Sequence, residues 1–343
     1  MRTLVCSTPG TLEYSERESP VSTPGYALIK IKRIGICGTD LHAFEGTQPY
    51  FSYPRILGHE LSGDLVAFDD PEGLATGAFT IGEKVTFIPY FNCGHCIACR
   101  SGKPNACVNI KVCGVHVDGG MAEYLSVPVQ ALLPGNGLNY DELALIEPLA
   151  IGAHGVSRAG VKKDEFVLVI GAGPIGLGTM EFARIAGGRV IAMDINTQRL
   201  KFCKEKLEIP YVVNAGDADV MEQIQQITGG DMPTVIIDAT GNLKAINNAL
   251  YYLGHGGRYV LIGLQKGDLQ FNHPEFHKRE STLMSSRNAV REDFELVIHA
   301  LKNKLVKPEN YITHRVLFEQ VKEDMAGWLN PANGVIKAMV SID

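Results

Sequence analysis

Between Tyr26 and about Pro134 the chain alternates short apolar runs with Gly, Pro and Asn; Ala27 to Ile34, Leu61 to Phe68, Lys84 to Ile88 and Glu123 to Val127 are four of them. Runs of this length, bounded by turn-forming residues, predict a β-rich, antiparallel, barrel-like domain. Beyond Glu165 the texture changes. Phe166 to Ile170, Arg189 to Met193, Tyr211 to Val213, Val235 to Ile237 and Arg258 to Ile262 are almost continuously apolar, with helical stretches between most of them. Strands that are apolar on both faces belong in a parallel sheet covered on both sides, so this half predicts a doubly wound α/β domain. The last segment, from about Met284 to Asp343, is mixed in pattern and ends in a strand-like run, Val335 to Ile342.

Length supports the division. A chain of 343 residues exceeds the size at which one hydrophobic core usually stops growing, which favours two domains. Charge narrows the partners: 32 basic and 38 acidic residues give a net charge of -6, with no basic stripe for nucleic acid or an anionic membrane. A small-molecule partner fits better. Met1 to Pro20 carries Arg2, Glu13, Glu16, Arg17 and Glu18 and lacks the apolar run of a signal peptide or membrane span, so a cytoplasmic location is expected. There the eight cysteines should be reduced, and clustered ones suit metal or redox chemistry better than disulfides.

Directly after the run Phe166 to Ile170 comes Gly171-Ala172-Gly173-Pro174-Ile175-Gly176, followed by a helical pattern from Leu177 to Ala186. This is G-x-G-x-x-G in its strand-to-helix context. Gly171 permits the tight turn, Gly173 lets a pyrophosphate approach the backbone, and Gly176 allows close packing under the positive N-terminus of the helix. Asp194 ends the next strand, about where an acidic residue accepts hydrogen bonds from an adenosine ribose. Its carboxylate would repel a 2′-phosphate, which favours NAD over NADP, although Arg199 nearby leaves NADP open. Asp194 also has an ordinary reading, as a strand-end or helix-capping residue.

Cys93, Cys96, Cys99 and Cys107 stand in the order C-x2-C-x2-C-x7-C within a loop containing Gly and Asn. Four thiolates at short spacing suit a closed tetrahedral zinc site with no position left for substrate, hence a structural one. An iron–sulfur cluster is the alternative, but the spacing departs from the ferredoxin runs. A second constellation is dispersed: Cys37, then His59 22 residues later, and much later Glu147. One thiolate, one imidazole and one carboxylate suit a catalytic zinc that keeps its fourth position open. Taken singly, each is an ordinary buried thiol, core histidine or helix-end carboxylate.

Together these residues carry a resemblance. Gly35 to His42, Gly58-His59-Glu60, the four-cysteine loop, Glu147-Pro148 and the glycine fingerprint are similar, in kind and in order, to the zinc-containing medium-chain dehydrogenases. The branch is that of the sorbitol and threonine dehydrogenases. The resemblance implies an oxidoreductase with two zinc ions per subunit and NAD. Its implied architecture is a GroES-like catalytic domain over 1–150, a Rossmann domain over 151–284, and a return to the catalytic domain over 285–343. It implies Cys37, His59 and Glu147 around the catalytic zinc, with Glu60 as a neighbouring or exchanging ligand. Thr39 would contact the substrate oxygen, and His42 would pass the proton onward through the cofactor ribose. Glu147 stands where simple alcohol dehydrogenases carry a cysteine, which points to polyol-like substrates.

Within that branch, Gln48 to Arg55, Gly114 to Gly120, Pro274 to Lys278 and Ser286 to Ala289 resemble dehydrogenases of the sugar acid L-galactonate. Arg287 could hold a carboxylate through two parallel hydrogen bonds, yet related polyol enzymes use an arginine there for hydroxyls. A sugar acid is therefore the expected substrate, with a neutral polyol and an amino alcohol such as threonine as the alternatives. Tyr50 and His116 are pocket candidates that could equally be packing residues. A NAD-binding protein without catalysis is the reading from another class. The resemblance also implies a homodimer or homotetramer, with Gly256 to Leu264 as an edge strand pairing across subunits.

Overall fold

A computed structural model describes residues 1–49, 51–75 and 77–342, which form two compact units, Met1–Glu147 with Ile298–Asp343, and Pro148–Val297. The return to the first unit thus falls at 298, later than the 285 expected. Thr282–Ser285 is a strand of the second unit's sheet, and Asp293 beyond it bonds His154 and Ser157 of the same unit. Among the described residues no helix is long and apolar enough to cross a membrane.

In the first unit the predicted strands appear as Tyr26–Gly35, Glu60–Phe68, Lys84–Phe87 and Tyr124–Pro128. They join a seven-stranded sheet in the order Leu132–Pro134, Lys84–Phe87, Glu60–Phe68, Tyr26–Gly35, Lys337–Ser341 and Ile312–Leu317, with Tyr124–Pro128 also paired to Tyr26–Gly35. Alternation sets which side chains enter the core: Ile29 and Ile31 are buried, while Lys30 and Lys32, which follow each of them, are not. Each aliphatic side chain so buried contributes about 1.5–3 kcal/mol of hydrophobic stabilisation. Register then brings distant residues together. Gly35 pairs with Glu60 on one side and with Met339 on the other, so the strand that leads to Cys37 is flanked by Glu60 and by the strand of Lys337. Arg2–Thr8 and Thr11–Glu16 form a hairpin that the charged start of the chain conceals; Leu4, Val5 and Cys6 of its first strand are buried.

The second unit is a six-stranded, wholly parallel sheet, ordered Tyr211–Asn214, Arg189–Asp194, Phe166–Ile170, Val235–Asp238, Arg258–Leu261, Thr282–Ser285. The first strand in sequence sits at the centre with the chain winding outward both ways, the arrangement that opens a ligand crevice at the carboxyl ends of the strands. One expectation is corrected. The run Gly256 to Leu264 gives the interior strand Arg258–Leu261, paired on both sides, and the edge is Thr282–Ser285. That strand escapes the pattern because it is short and its Thr and Ser are exposed.

Candidate active site

Cys37 is the residue before the helix Gly38–Glu45, and the Asp40 side chain accepts the Cys37 N–H at 2.9 Å. The other Asp40 oxygen accepts the N–H of Gly58 at 3.0 Å, so this fully buried carboxylate ties the Cys37 turn to the turn carrying His59. His59 is buried, with Nδ1 3.8 Å from Asp40 and without a hydrogen-bond partner. Burial by itself would lower the His59 pKa, but Asp40 and then Cys37 more than reverse this and hold it well above the ordinary imidazole value. Glu60 opens its strand, is fully buried, and receives Lys337 Nζ at 2.6 Å on each oxygen. The metal-ligating atoms of Cys37, His59 and Glu60 all lie within 4.8 Å of one another.

Glu147 is not in that group. It opens the helix Ile146–Ala159, is buried, and accepts a hydrogen bond from the Tyr90 hydroxyl. Burial lifts its carboxyl pKa to about 7. The donor atoms of Glu60 therefore group with those of Cys37 and His59, while each carboxylate is already engaged, Glu60 by Lys337 and Glu147 by Tyr90. A soft thiolate, an imidazole and a carboxylate with donor atoms this close together, the last two of them buried, fit zinc.

The four-cysteine loop forms the second cluster. Cys96 Sγ lies 3.5 Å from Cys99 Sγ and 3.8 Å from Cys107 Sγ, and Cys107 lies 3.5 Å from Cys93. No disulfide links them. Zinc–sulfur bonds of about 2.3 Å in a tetrahedron give sulfur–sulfur edges of roughly 3.8 Å, so the four thiols fit one zinc. Backbone N–H groups of Cys93 and Asn109 reach Cys107 Sγ at 3.3 Å each, a support for thiolate charge. Backbone hydrogen bonds from Cys99 and Val108 lower the Cys96 thiol to about 6. His95 turns its Nδ1 to the Cys93 carbonyl and lies outside the cluster.

In the second unit, Gly171 has φ +99°, and a Cβ there would meet Thr240 at 2.9 Å. A Cβ on Gly176 would fall 1.8 Å from the Gly171 carbonyl oxygen, whereas one on Gly173 would meet nothing within 4 Å. Turn, close packing and an open approach are thus divided among the three glycines as the fingerprint requires. Gly173 caps the helix Pro174–Ile185, with Pro174 and Ile175 in its first turn. Asp194 accepts the N–H of Ala172 at 2.6 Å and that of Asn196 at 2.8 Å, so it braces the turn as well as facing the dinucleotide end. Arg199 approaches it at 3.9 Å. This cradle fits NAD.

Thr39 is half-buried and His42 exposed on the helix that follows Cys37. His116 accepts the Val112 N–H at 3.0 Å, which gives it a role in its own turn. Arg287 is exposed in the second unit, just past the edge strand. Tyr50 lies outside the described residues. Asp40, Tyr90 and Lys337 had no role assigned from sequence. Asp40 carries a signal, an acid three residues after Cys37 where it can cap the turn. Lys337 carries one too, as a lysine inside an apolar strand. Tyr90 carries none.

Residues 23–137 match the alcohol dehydrogenase GroES-like domain, and residues 174–303 the zinc-binding dehydrogenase family. The chain is 45% identical over 323 residues to L-galactonate-5-dehydrogenase of Escherichia coli K12, covering 94% of each. It is 32% identical over 321 residues to the sorbitol dehydrogenase of Halalkalibacterium halodurans, covering 92% of each. Among solved structures, an Escherichia coli alcohol dehydrogenase complexed with NADH superposes with a TM-score of 0.91 at 30% identity, over 100% of this chain and 99% of that one. With two zinc-compatible clusters and a dinucleotide turn in place, these likenesses settle the class: the chain belongs to the zinc-type alcohol dehydrogenase family, and is a zinc-dependent, NAD-linked oxidoreductase acting on the CH–OH group of a small molecule.

Proposed function

We propose that the substrate is a sugar acid of the L-galactonate type, oxidised at a secondary hydroxyl, with a neutral polyol as the second reading. The observation that carries it is the 45% identity to L-galactonate-5-dehydrogenase across 94% of both chains. The polyol reading keeps support from the 32% identity to sorbitol dehydrogenase. In this reading Cys37, His59 and Glu60 hold the catalytic zinc, Cys93, Cys96, Cys99 and Cys107 the structural one, and Gly171, Gly173, Pro174, Ile175, Gly176 and Asp194 the dinucleotide. Glu147 acts from beside the metal position, steadied by Tyr90. We also propose a cytoplasmic enzyme that assembles into a homodimer or homotetramer, with Thr282–Ser285 as the edge available for pairing.

Bound zinc supplies Lewis acidity, which lowers the pKa of an alcohol oxygen toward neutrality. The chain does the rest. Thr39, in the first turn of the helix Gly38–Glu45, orients the hydroxyl, and His42, one turn further along and exposed, hands its proton toward solvent. The glycine turn would hold the dinucleotide, which when bound supplies the hydride acceptor. The backbone N–H groups at the start of the helix Pro174–Ile185 take its pyrophosphate.

Two measurements bear on this reading. Steady-state rates across L-galactonate, other aldonates, sorbitol and L-threonine should give the highest kcat/KM with a sugar acid, by at least about tenfold, the size of one good charge-assisted hydrogen bond. Equal rates with neutral polyols would remove the carboxylate role of Arg287. Replacing His42 by Ala should slow turnover by about 10²-fold, the lower range for a positioned proton-transfer group. The loss should be largest at low pH, where solvent is the poorest proton acceptor. An unchanged pH–rate profile would take His42 out of the relay.

A further inference from the structure

Lys337 is 2% exposed, at the start of a strand that continues with buried Ala338, Met339 and Val340, and its ammonium touches both oxygens of Glu60 at 2.6 Å and the Ile36 carbonyl at 3.0 Å. Ile36 precedes Cys37. One buried cation thus grips the carboxylate of the metal cluster and the backbone beside its thiolate. As a device for holding the fold this is poor, because a buried ion pair returns little more than an apolar pair of the same volume. Glycine at position 35 leaves it space: a Cβ there would lie 2.2 Å from Glu60 Oε2. The carboxylate therefore has two places to give its charge, the ammonium and the metal position.

We propose that Lys337 is a positioning residue that competes with the metal for Glu60 and keeps this carboxylate a weak, exchangeable ligand. The inference rests on the reading of Cys37, His59 and Glu60 as a zinc site. The ammonium neutralises Glu60 when the carboxylate turns from the metal, so that departure costs little. It also repels a dication, which loosens the bond when Glu60 turns toward it. With the cation gone, Glu60 has only the metal as a partner and should bind it continuously. The fourth position would then be harder for a substrate oxygen to win.

The test is the rate at which the zinc-loaded protein surrenders metal to a chromogenic chelator, with the phase missing from Cys37→Ala marking this site. For Lys337→Met, release from the site is expected to slow by about tenfold, the lower end of the effect that neighbours of metal ligands exert. The visible spectrum of the cobalt-substituted protein should shift with it, and KM for the alcohol should rise more than kcat falls. Lys337→Arg, which keeps the charge, should restore near-native release. Faster release from Lys337→Met, or unchanged release with an unchanged cobalt spectrum, would overturn the proposal by reducing Lys337 to a scaffold for Glu60. Should the methionine variant not fold, Glu60→Gln decides: release within about threefold of native agrees with a weak ligand, and a tenfold or greater acceleration contradicts it. Native protein that carries zinc only at its four cysteines would instead remove the metal reading itself, a result separable by metal content from any failure of Lys337.

Discussion

Cys37→Ala is expected to lower kcat/KM by about 10³-fold or more, because Lewis-acid activation supplies several kcal/mol of barrier lowering and each 1.36 kcal/mol is tenfold. The remaining donors cannot make up the loss. His59 offers one ring nitrogen toward the cluster, and both oxygens of Glu60 already lie against Lys337. The fold around the site should survive, since the Cys37 turn keeps its backbone N–H on Asp40 when the sulfur is removed. Metal analysis should then find one zinc per chain where the native protein has two. NADH absorbance measures the rate, and a variant within tenfold of native would place the chemistry away from Cys37. This outcome would also separate the enzyme from a dinucleotide-binding protein whose metals serve only structure, because dinucleotide affinity should be unchanged while turnover collapses.

What could be read from the sequence was what physical chemistry forces into short spacing. Cys93 to Cys107 lie within one loop because a tetrahedral ion needs four sulfurs in one place. Gly171 to Gly176 lie within one turn because a pyrophosphate must approach the backbone beside a helix start. The parallel strands were legible for a related reason: burial on both faces leaves little but apolar residues in Phe166–Ile170 or Val235–Asp238. Pairings made by the fold were not. Lys337 meets Glu60 across 277 residues, through a register that only the assembled sheet supplies. Tyr90 meets Glu147 across 57, and nothing local to Tyr90 marks it. The strand Thr282–Ser285 was missed, and with it the true edge of the sheet, because a four-residue edge strand with exposed polar positions carries no period. Dispersed ligands fall between these cases. Cys37 and His59 were recognisable through their flanking motifs, but the competition between Glu60 and Glu147 depended on which neighbour each carboxylate found.

At the other metal cluster, Cys107→Ser should cost stability and leave the dinucleotide unit intact. Cys107 is the most buried of the four thiols, at 1% exposed, and it receives two backbone N–H groups in addition to its sulfur neighbours. The loop around it has little core of its own: Ile97 is 66% and Val108 70% exposed. Its order must come mainly from the metal. Structural zinc binding in small domains supplies roughly 10–16 kcal/mol, so losing one of four thiolates should remove on the order of 3–5 kcal/mol. At about 2–4 °C per kcal/mol for units of 150–250 residues, the thermal midpoint should fall by roughly ten degrees. Limited proteolysis should cut within 92–110 while NADH still binds, since Gly171 to Gly176 and Asp194 belong to the other unit. A variant that keeps two zinc ions and its native midpoint would mean that three thiolates suffice and that the loop is held by something other than its metal. Because Cys37→Ala removes activity with the loop intact, and Cys107→Ser loosens the loop with Cys37, His59 and Glu60 untouched, the two substitutions together assign each zinc its own task.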